Sequence, residues 1–268
     1  MRIKMVVACH KKCDVPSDRM YLPVFVGSAG KEDIGFVRDD TGANISIKNP
    51  LYCELTGLYW AWKNLEYDYL GLVHYRRYFT KKSVFQRKKE ASLDDVLTEE
   101  EAKRLLEEYD VILPKKRHYY IETIYSHFDH TFDGKQFDVA QDVLDEFYPG
   151  YGTCFRKYMQ MRSGYTFNMF IMRADLADRY CTWLFDVLEK IEERYDTTGL
   201  TDFEKRYIGR VSERLLNAWL MYETEHGVIA KRKIHEIPYF YLGKVQWSKK
   251  IGGFLKAKLF HQKYKQSF

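Results

Sequence analysis

A chain of 268 residues is long for one ordinary domain and short for two, and its 46% hydrophobic content can fill a sizeable core. The net charge of +5 is localised: residues 237–268 hold seven lysines and no acidic residue, and the remaining 36 basic and 38 acidic side chains nearly cancel. No stretch approaches the ~20 apolar residues of a membrane-spanning helix, and MRIKMVVACHKK has no signal-peptide cleavage site, so a soluble chain is expected that at most lies on a membrane surface.

In chain order, the β-branched run Ile3–Ala8 predicts a buried strand, and Leu22–Val26 a second that ends at Gly27-Ser28-Ala29-Gly30. A polar loop through Asp39-Asp40-Thr41-Gly42 leads to Asn49-Pro50, a turn and helix start. The helix is expected over Leu51–Leu65, with Leu51, Leu55, Leu58, Tyr59 and Trp62 on one face. Tyr69–Val73 reads as a buried strand that runs into His74-Tyr75-Arg76-Arg77-Tyr78-Phe79. Ser83–Glu108 is highly charged with helix-like spacing, and Tyr109–Leu113 is a strand stopped by Pro114. His118–Asp133 reads as loop with helical parts, Phe137–Phe147 as helix and Tyr165–Met172 as strand. Ala174–Tyr195 has a strong 3.6-residue period, and Ser212–Thr224 is a further helix with Ser212 as its N-cap. Lys233–Tyr239 could be a last strand. Strands alternating with helices favour an α/β sheet with helices on its faces. Most of the 22 Tyr and 17 Phe are read as core, although tyrosine also suits sugar binding. Cys9, Cys13, Cys53, Cys154 and Cys181 form no paired spacing, so reduced thiols in a cytoplasm are expected.

Ligands of open α/β sheets bind beyond the carboxyl ends of strands, which draws attention to Ala8-Cys9-His10-Lys11. A small residue there admits a planar base, and His10 and Lys11 supply donors. A plain strand-to-loop junction explains the same residues more economically. His74-Tyr75-Arg76-Arg77 is more informative, because adjacent arginines bind phosphate oxygens by bidentate, charge-assisted hydrogen bonds. A departing diphosphate calls for such charge. The alternative is a structural pair tying loops together, but the strand-end position and the lack of acidic neighbours favour function.

Many sugar-nucleotide transferases hold Mg²⁺ or Mn²⁺ with an Asp-x-Asp just after such a strand. Here the place is taken by His74-Tyr75-Arg76, so no metal or other cofactor is expected to be required. Asp39, Asp40 and Asp68 remain as carboxylates for Mn²⁺ or Mg²⁺. Ser212-Glu213-Arg214 opens an apolar helix; the helix dipole alone accounts for a first-turn Glu, but a fixed carboxylate is also what deprotonates an acceptor hydroxyl. His127, Asp129, His130 and Asp133 lack zinc-ligand spacing and read as a hydrogen-bonding acceptor site or as loop polarity. Asn168 inside YTFNMFIM is either a structural bridge or a sugar contact. The tail 241–268 places Ile251, Phe254, Leu255 and Leu259 near one face with lysines elsewhere, a basic amphipathic segment suited to an anionic membrane or else a solvated tail. No nucleic-acid-binding motif accompanies it.

Several strings resemble one bacterial family. They are Asn44-Ile45-Ser46, Asn49-Pro50, Tyr52-Cys53-Glu54-Leu55-Thr56, Leu58-Tyr59-Trp60-Ala61-Trp62-Lys63-Asn64 and Gly71–Phe79, with Asn168–Met172, Trp183-Leu184-Phe185 and Ser212–Leu216 further on. The family is the capsular and exopolysaccharide-synthesis glycosyltransferases formerly described as a domain of unknown function, and the likeness runs to about Pro238. It implies a single GT-A-like, Rossmann-like domain over residues 1–240, with a mixed central sheet and helices on both faces. It further implies a UDP-sugar donor, galactofuranosyl or galactosyl transfer, probable inversion being a property of the type, and a glycan acceptor that is often lipid-linked. Carried over by position, Ala8, Cys9, His10 and Asn44 would face the nucleotide, His74, Tyr75, Arg76 and Arg77 the diphosphate, and Glu213 the acceptor hydroxyl. His127, His130, Asp133, Asn168 and Arg214 are the acceptor-side candidates. The expected location is the cytoplasm or the inner face of the cell membrane. Two other classes compete: a nucleotide-sugar-modifying enzyme, disfavoured by the lack of a glycine-rich phosphate loop, and a non-catalytic glycan- or membrane-binding protein.

Overall fold

The computed structural model describes residues 1–82 and 92–243. Its first half comprises β1 (Ile3–Cys9), β2 (Tyr21–Phe25), β3 (Val37–Arg38), α1 (Asn49–Tyr52), α2 (Leu55–Asn64), β4 (Tyr69–His74) and β5 (Arg77–Phe79). There follow α3 (Glu99–Leu106), β6 (Val111–Pro114), β7 (Arg117–His118), α4 (Ile124–Thr131), α5 (Lys135–Phe147), α6 (Pro149–Met159) and β8 (Ser163–Gly164). The last elements are β9 (Phe170–Arg173), α7 (Ala174–Arg194), α8 (Tyr207–Glu225), β10 (Ile234–Ile237) and β11 (Tyr239–Tyr241). The expected tail 241–268 lies outside the described residues beyond Gly243, as does the start of the charged stretch at 83–91.

The central sheet runs β10-β6-β9-β4-β1-β2-β3, with β5 joining β4 to β11. β1 is parallel to β2 and β4, whereas β9 is inserted antiparallel between β4 and β6, so the sheet is mixed. Successive side chains of a strand point to opposite faces. Val6 and Ala8 of β1 therefore enter the core beneath α2, α5, α6, α7 and α8. Met5, Val7 and Cys9 enter the other core, closed by α3, β5 and β11. Helices thus cover both faces, as expected.

Four local expectations are corrected. The helix expected over Leu51–Leu65 is broken at Cys53, which has φ 53°, and Trp60 and Ala61 are buried beside the half-buried Tyr59 and Trp62, so the apolar face is broader than expected. The strand expected from Tyr165 starts only at Phe170, because Phe167 and Asn168 take φ 76° and 52°. α6 was not foreseen; Gly150 and Gly152 near its start dilute its helix propensity. Finally α8 begins at Tyr207, so Ser212 lies inside the helix, where its Oγ donates to the Gly209 carbonyl at 2.8 Å. Ile208 and Val211 extend the apolar face N-terminally, and Gly209 permits close packing: a Cβ there would lie 3.1 Å from the Cys53 Cβ and Sγ.

Candidate active site

β1 and β4 run side by side with Ala8 opposite His74, so their carboxyl ends emerge together. A two-residue turn, Tyr75-Arg76, then reverses the chain into β5 and sets Arg77 opposite His74. Alternation buries Ala8 and Cys9 on opposite faces, and the Ala8 and Cys9 carbonyls accept from Tyr75 N and Val26 N. Both side chains are thus buried in the sheet, and of the expected nucleotide-facing run only His10 is exposed. Burial, aided by Cys13, also pushes the Cys9 thiol up, which keeps it protonated and inert. His10 is the first side chain of this strand end to emerge, packed edge-on against Tyr75 at 5.0 Å.

The emerging groups form a cationic crown. Burial and then Arg77, His10, Arg206 and Arg76 lower His74 to about 3, so it is a neutral imidazole whose buried Nδ1 has no hydrogen-bond partner. Burial and then Lys11, Arg76, Arg206 and Lys31 likewise lower His10. Arg76 is exposed, 5.2 Å over the Tyr75 ring. Arg77 lies over Phe167 at 4.4 Å and Tyr241 at 5.1 Å, and its Nε is buried with no hydrogen-bond partner among the described residues. Among the described residues neither arginine forms an ion pair. Arg206, which the sequence reading did not single out, joins them from the turn before α8, its Nε 3.3 Å from Cys53 Sγ. Arg210 is lowered to about 10, chiefly by burial, and lies over Phe132 and Phe203.

Two carboxylates face this crown. Glu213 sits in the second turn of α8, so the first-turn dipole argument for it does not hold; its orientation comes from Arg214, whose Nη1 donates at 2.6 Å. Glu213 also lies within electrostatic reach of Arg210, Tyr241 and Glu54. Glu54 is a functional candidate that sequence reasoning missed. It was visible only as one letter of the Tyr52–Thr56 string, but the break at Cys53 turns it inward. Burial raises its pKa, Glu213 adds to the rise, and Asn168 Nδ2 donates to it at 2.8 Å. Asn168 Nδ2 also donates to the Gly209 carbonyl, and its Oδ1 accepts from Ser212 Oγ at 3.1 Å. These contacts describe a structural bridge. Left-handed backbone in bulky residues is costly and gathers where geometry is over-determined, as at Cys53, Phe167 and Asn168 here.

A third wall comes from β7 and α4. Glu122 holds His127 Nδ1 at 2.8 Å and His130 Nδ1 at 3.1 Å, and Tyr119 lies 4.4 Å from the His127 ring. Burial chiefly lowers His127 to about 4, against the pull of Glu122; Arg117 and Arg214 add to the lowering. Asp133 lies just beyond α4. It accepts from Tyr195 Oη at 3.2 Å and from Lys135 N at the start of α5. Asn44 is apart: its amide spans the Gly42 carbonyl and Ser46 N within an exposed loop.

The carboxylates once open to a metal are occupied. Asp39 is buried and accepts from Gly27 N, Ser28 N, Ser28 Oγ and Ser46 Oγ, fixing a loop in which Gly27 has φ +65°. Asp40 pairs with Arg38 at 2.7 Å, and Asp68 accepts from Arg2 N at the far end of β4. Among the described residues no group of three or more His, Cys, Asp or Glu is placed to hold a metal ion. No described helix is long and apolar enough to cross a membrane.

Residues 4–225 match the family described as Domain of unknown function (DUF4422). The chain also superimposes on the apo structure of the WbbM bifunctional glycosyltransferase, with a TM-score of 0.83 and 30% sequence identity. That match covers 91% of this chain but 46% of WbbM, so the chain spans less than half of that protein. No curated protein matches the sequence.

Proposed function

The chain belongs to the DUF4422 family, and from that premise we propose that it is a glycosyltransferase, moving a hexose from a UDP-sugar to a glycan acceptor with inversion at the anomeric carbon. Galactofuranose or galactose is the favoured sugar, and assembly of capsule, exopolysaccharide or O-antigen in the cytoplasm or at the inner face of the cell membrane is the favoured setting, with a free or lipid-linked glycan as acceptor. The likeness to WbbM, a bifunctional glycosyltransferase, supports the reaction class. The observation that carries the proposal is the crown itself: Arg76 and Arg77 stand beyond the central strands with no ion-pair partner among the described residues, and Glu213 lies within electrostatic reach of Tyr241, the ring beneath Arg77.

In this reading the diphosphate rests against Arg76 and Arg77, with Arg206 beside them. Glu213 accepts the proton of the acceptor hydroxyl as that oxygen attacks the anomeric carbon. The bond to the diphosphate oxygen breaks with its electron pair, and fixed guanidinium groups stabilise the charge that develops there without having to reorganise. His74, kept neutral, adds a polar ring without taking the proton that Glu213 must receive.

The test is Glu213→Gln, assayed with a panel of UDP-sugars and synthetic glycan acceptors by mass spectrometry. Transfer should fall by roughly 10²- to 10⁴-fold, the range for loss of a general base. Donor affinity, measured by calorimetry, should be retained. Wild-type turnover in the variant would remove Glu213 from the role, and no transfer by the wild-type chain to any acceptor would favour the binding-protein alternative.

A further inference from the structure

Beside the candidate site, the segment between β7 and α4 presents Tyr120 and Ile121 to solvent at 81% and 76% exposure. Two adjacent large apolar side chains left this open are unusual for a surface with ordinary solvation. Their position is enforced by the backbone. Tyr120 holds φ 56°, Ile121 N turns back to the Tyr119 carbonyl at 2.6 Å, and Tyr119 N is tied to the Arg162 carbonyl at 2.8 Å. β7 and β8 clamp the base of the segment, pairing Arg117 with Gly164 and His118 with Ser163.

The surroundings of this tip are cationic. Lys115 and Arg117 are exposed on its leading side, and Arg162 is exposed beneath it, donating to the Tyr120 carbonyl. The nearest acidic residue in sequence, Glu122, is buried and engaged with His127 and His130. Residues 115–121 contain no carboxylate at all. An apolar tip ringed by basic side chains matches an anionic lipid surface: the apolar pair enters the acyl boundary while the cations meet the headgroups. The tip also adjoins the site, because Arg117 lies within electrostatic reach of Tyr239 and Tyr241, and Tyr241 lies under Arg77.

We propose that Tyr120 and Ile121 form a membrane-docking tip that seats this side of the candidate site on an anionic bilayer. The docking stands independently of the transfer reaction, although it would bring the cleft to an acceptor held in the membrane. It is tested with the full-length chain and phosphatidylcholine vesicles, with and without phosphatidylglycerol, in co-sedimentation without any sugar. The chain should partition onto the phosphatidylglycerol vesicles only, and less so at high salt. The double variant Tyr120→Asn, Ile121→Ser should bind about tenfold more weakly. Asn tolerates the left-handed backbone, and an unchanged melting curve would confirm that the variant is folded. The charge-reversed pair Arg117→Glu, Arg162→Glu should weaken binding as well. No binding by the wild-type chain, or equal binding by wild type and the folded tip variant, overturns the proposal; the latter would assign docking to another part of the chain. Because no donor is present, either failure leaves the transfer reading untouched.

Discussion

His74 shows how strongly desolvation acts on single residues here. It sits at the end of an apolar strand among Arg77, His10 and Arg206, and a second positive charge there is disfavoured by burial first and repulsion second. The folded protein therefore holds it neutral to about pH 3, whereas an unfolded histidine takes a proton near 6.5. A depressed histidine contributes stability that is present above the unfolded value and lost as pH falls toward the folded one. Between pH 7 and 5 this single group should remove about 2 kcal/mol of unfolding free energy. His74→Gln cannot titrate, so denaturant unfolding at the two pH values should show a smaller loss in the variant. Equal losses would mean that His74 is protonated in the folded state. The charge cluster was legible in the sequence because His-Tyr-Arg-Arg follows an apolar strand directly. Glu54 was not, because one carboxylate between two helical segments looks like a solvated residue until its neighbours in space are known.

At the scale of elements, the site depends on two places where regular structure stops and on the helix that packs across them. α1 ends at Cys53, the strand expected from Tyr165 is delayed to Phe170, and α8 passes both breaks with Gly209 as its point of closest approach. Asn168 ties the three together through Glu54, the Gly209 carbonyl and Ser212. Asn168→Ala removes this bridge and places a residue with a Cβ, but no compensating amide, in left-handed backbone. A loss of about 3 kcal/mol is expected in denaturant unfolding. Asn168→Gly relieves the backbone but not the lost hydrogen bonds, so it should lose about 1 kcal/mol less. If the two variants are equally stable, the positive φ contributes nothing. Sequence periodicity located α7 and the core strands because their patterns are long. It extended the strand through Phe167 and Asn168 because left-handed backbone in non-glycine residues has no strong local signature.

Across the whole molecule, the charges at the carboxyl edge of the sheet set what the cleft can stabilise. Arg76 and Arg77 come from the β4–β5 turn and Arg206 from the approach to α8, three cations drawn from distant parts of the chain. If guanidinium groups hold the diphosphate, sugar transfer should be retained in excess EDTA. Strict loss that Mn²⁺ restores would give that role to a bound cation instead.

The sequence by itself determined the α/β class, the strands read as Ile3–Ala8 and Tyr69–Val73, which each run one residue further in the fold, the helix α7 and the arginine pair beyond β4. Each is written in local hydrophobic periodicity or in a run of like charges, which short-range chemistry reads directly. Only the tertiary structure decided that Ala8 and Cys9 point into opposite cores, that Asp133 meets Tyr195, and that Glu54, Asn168 and Glu213 converge. Those outcomes depend on the register of paired strands and on backbone breaks held in place by contacts many residues apart, and no local pattern encodes them.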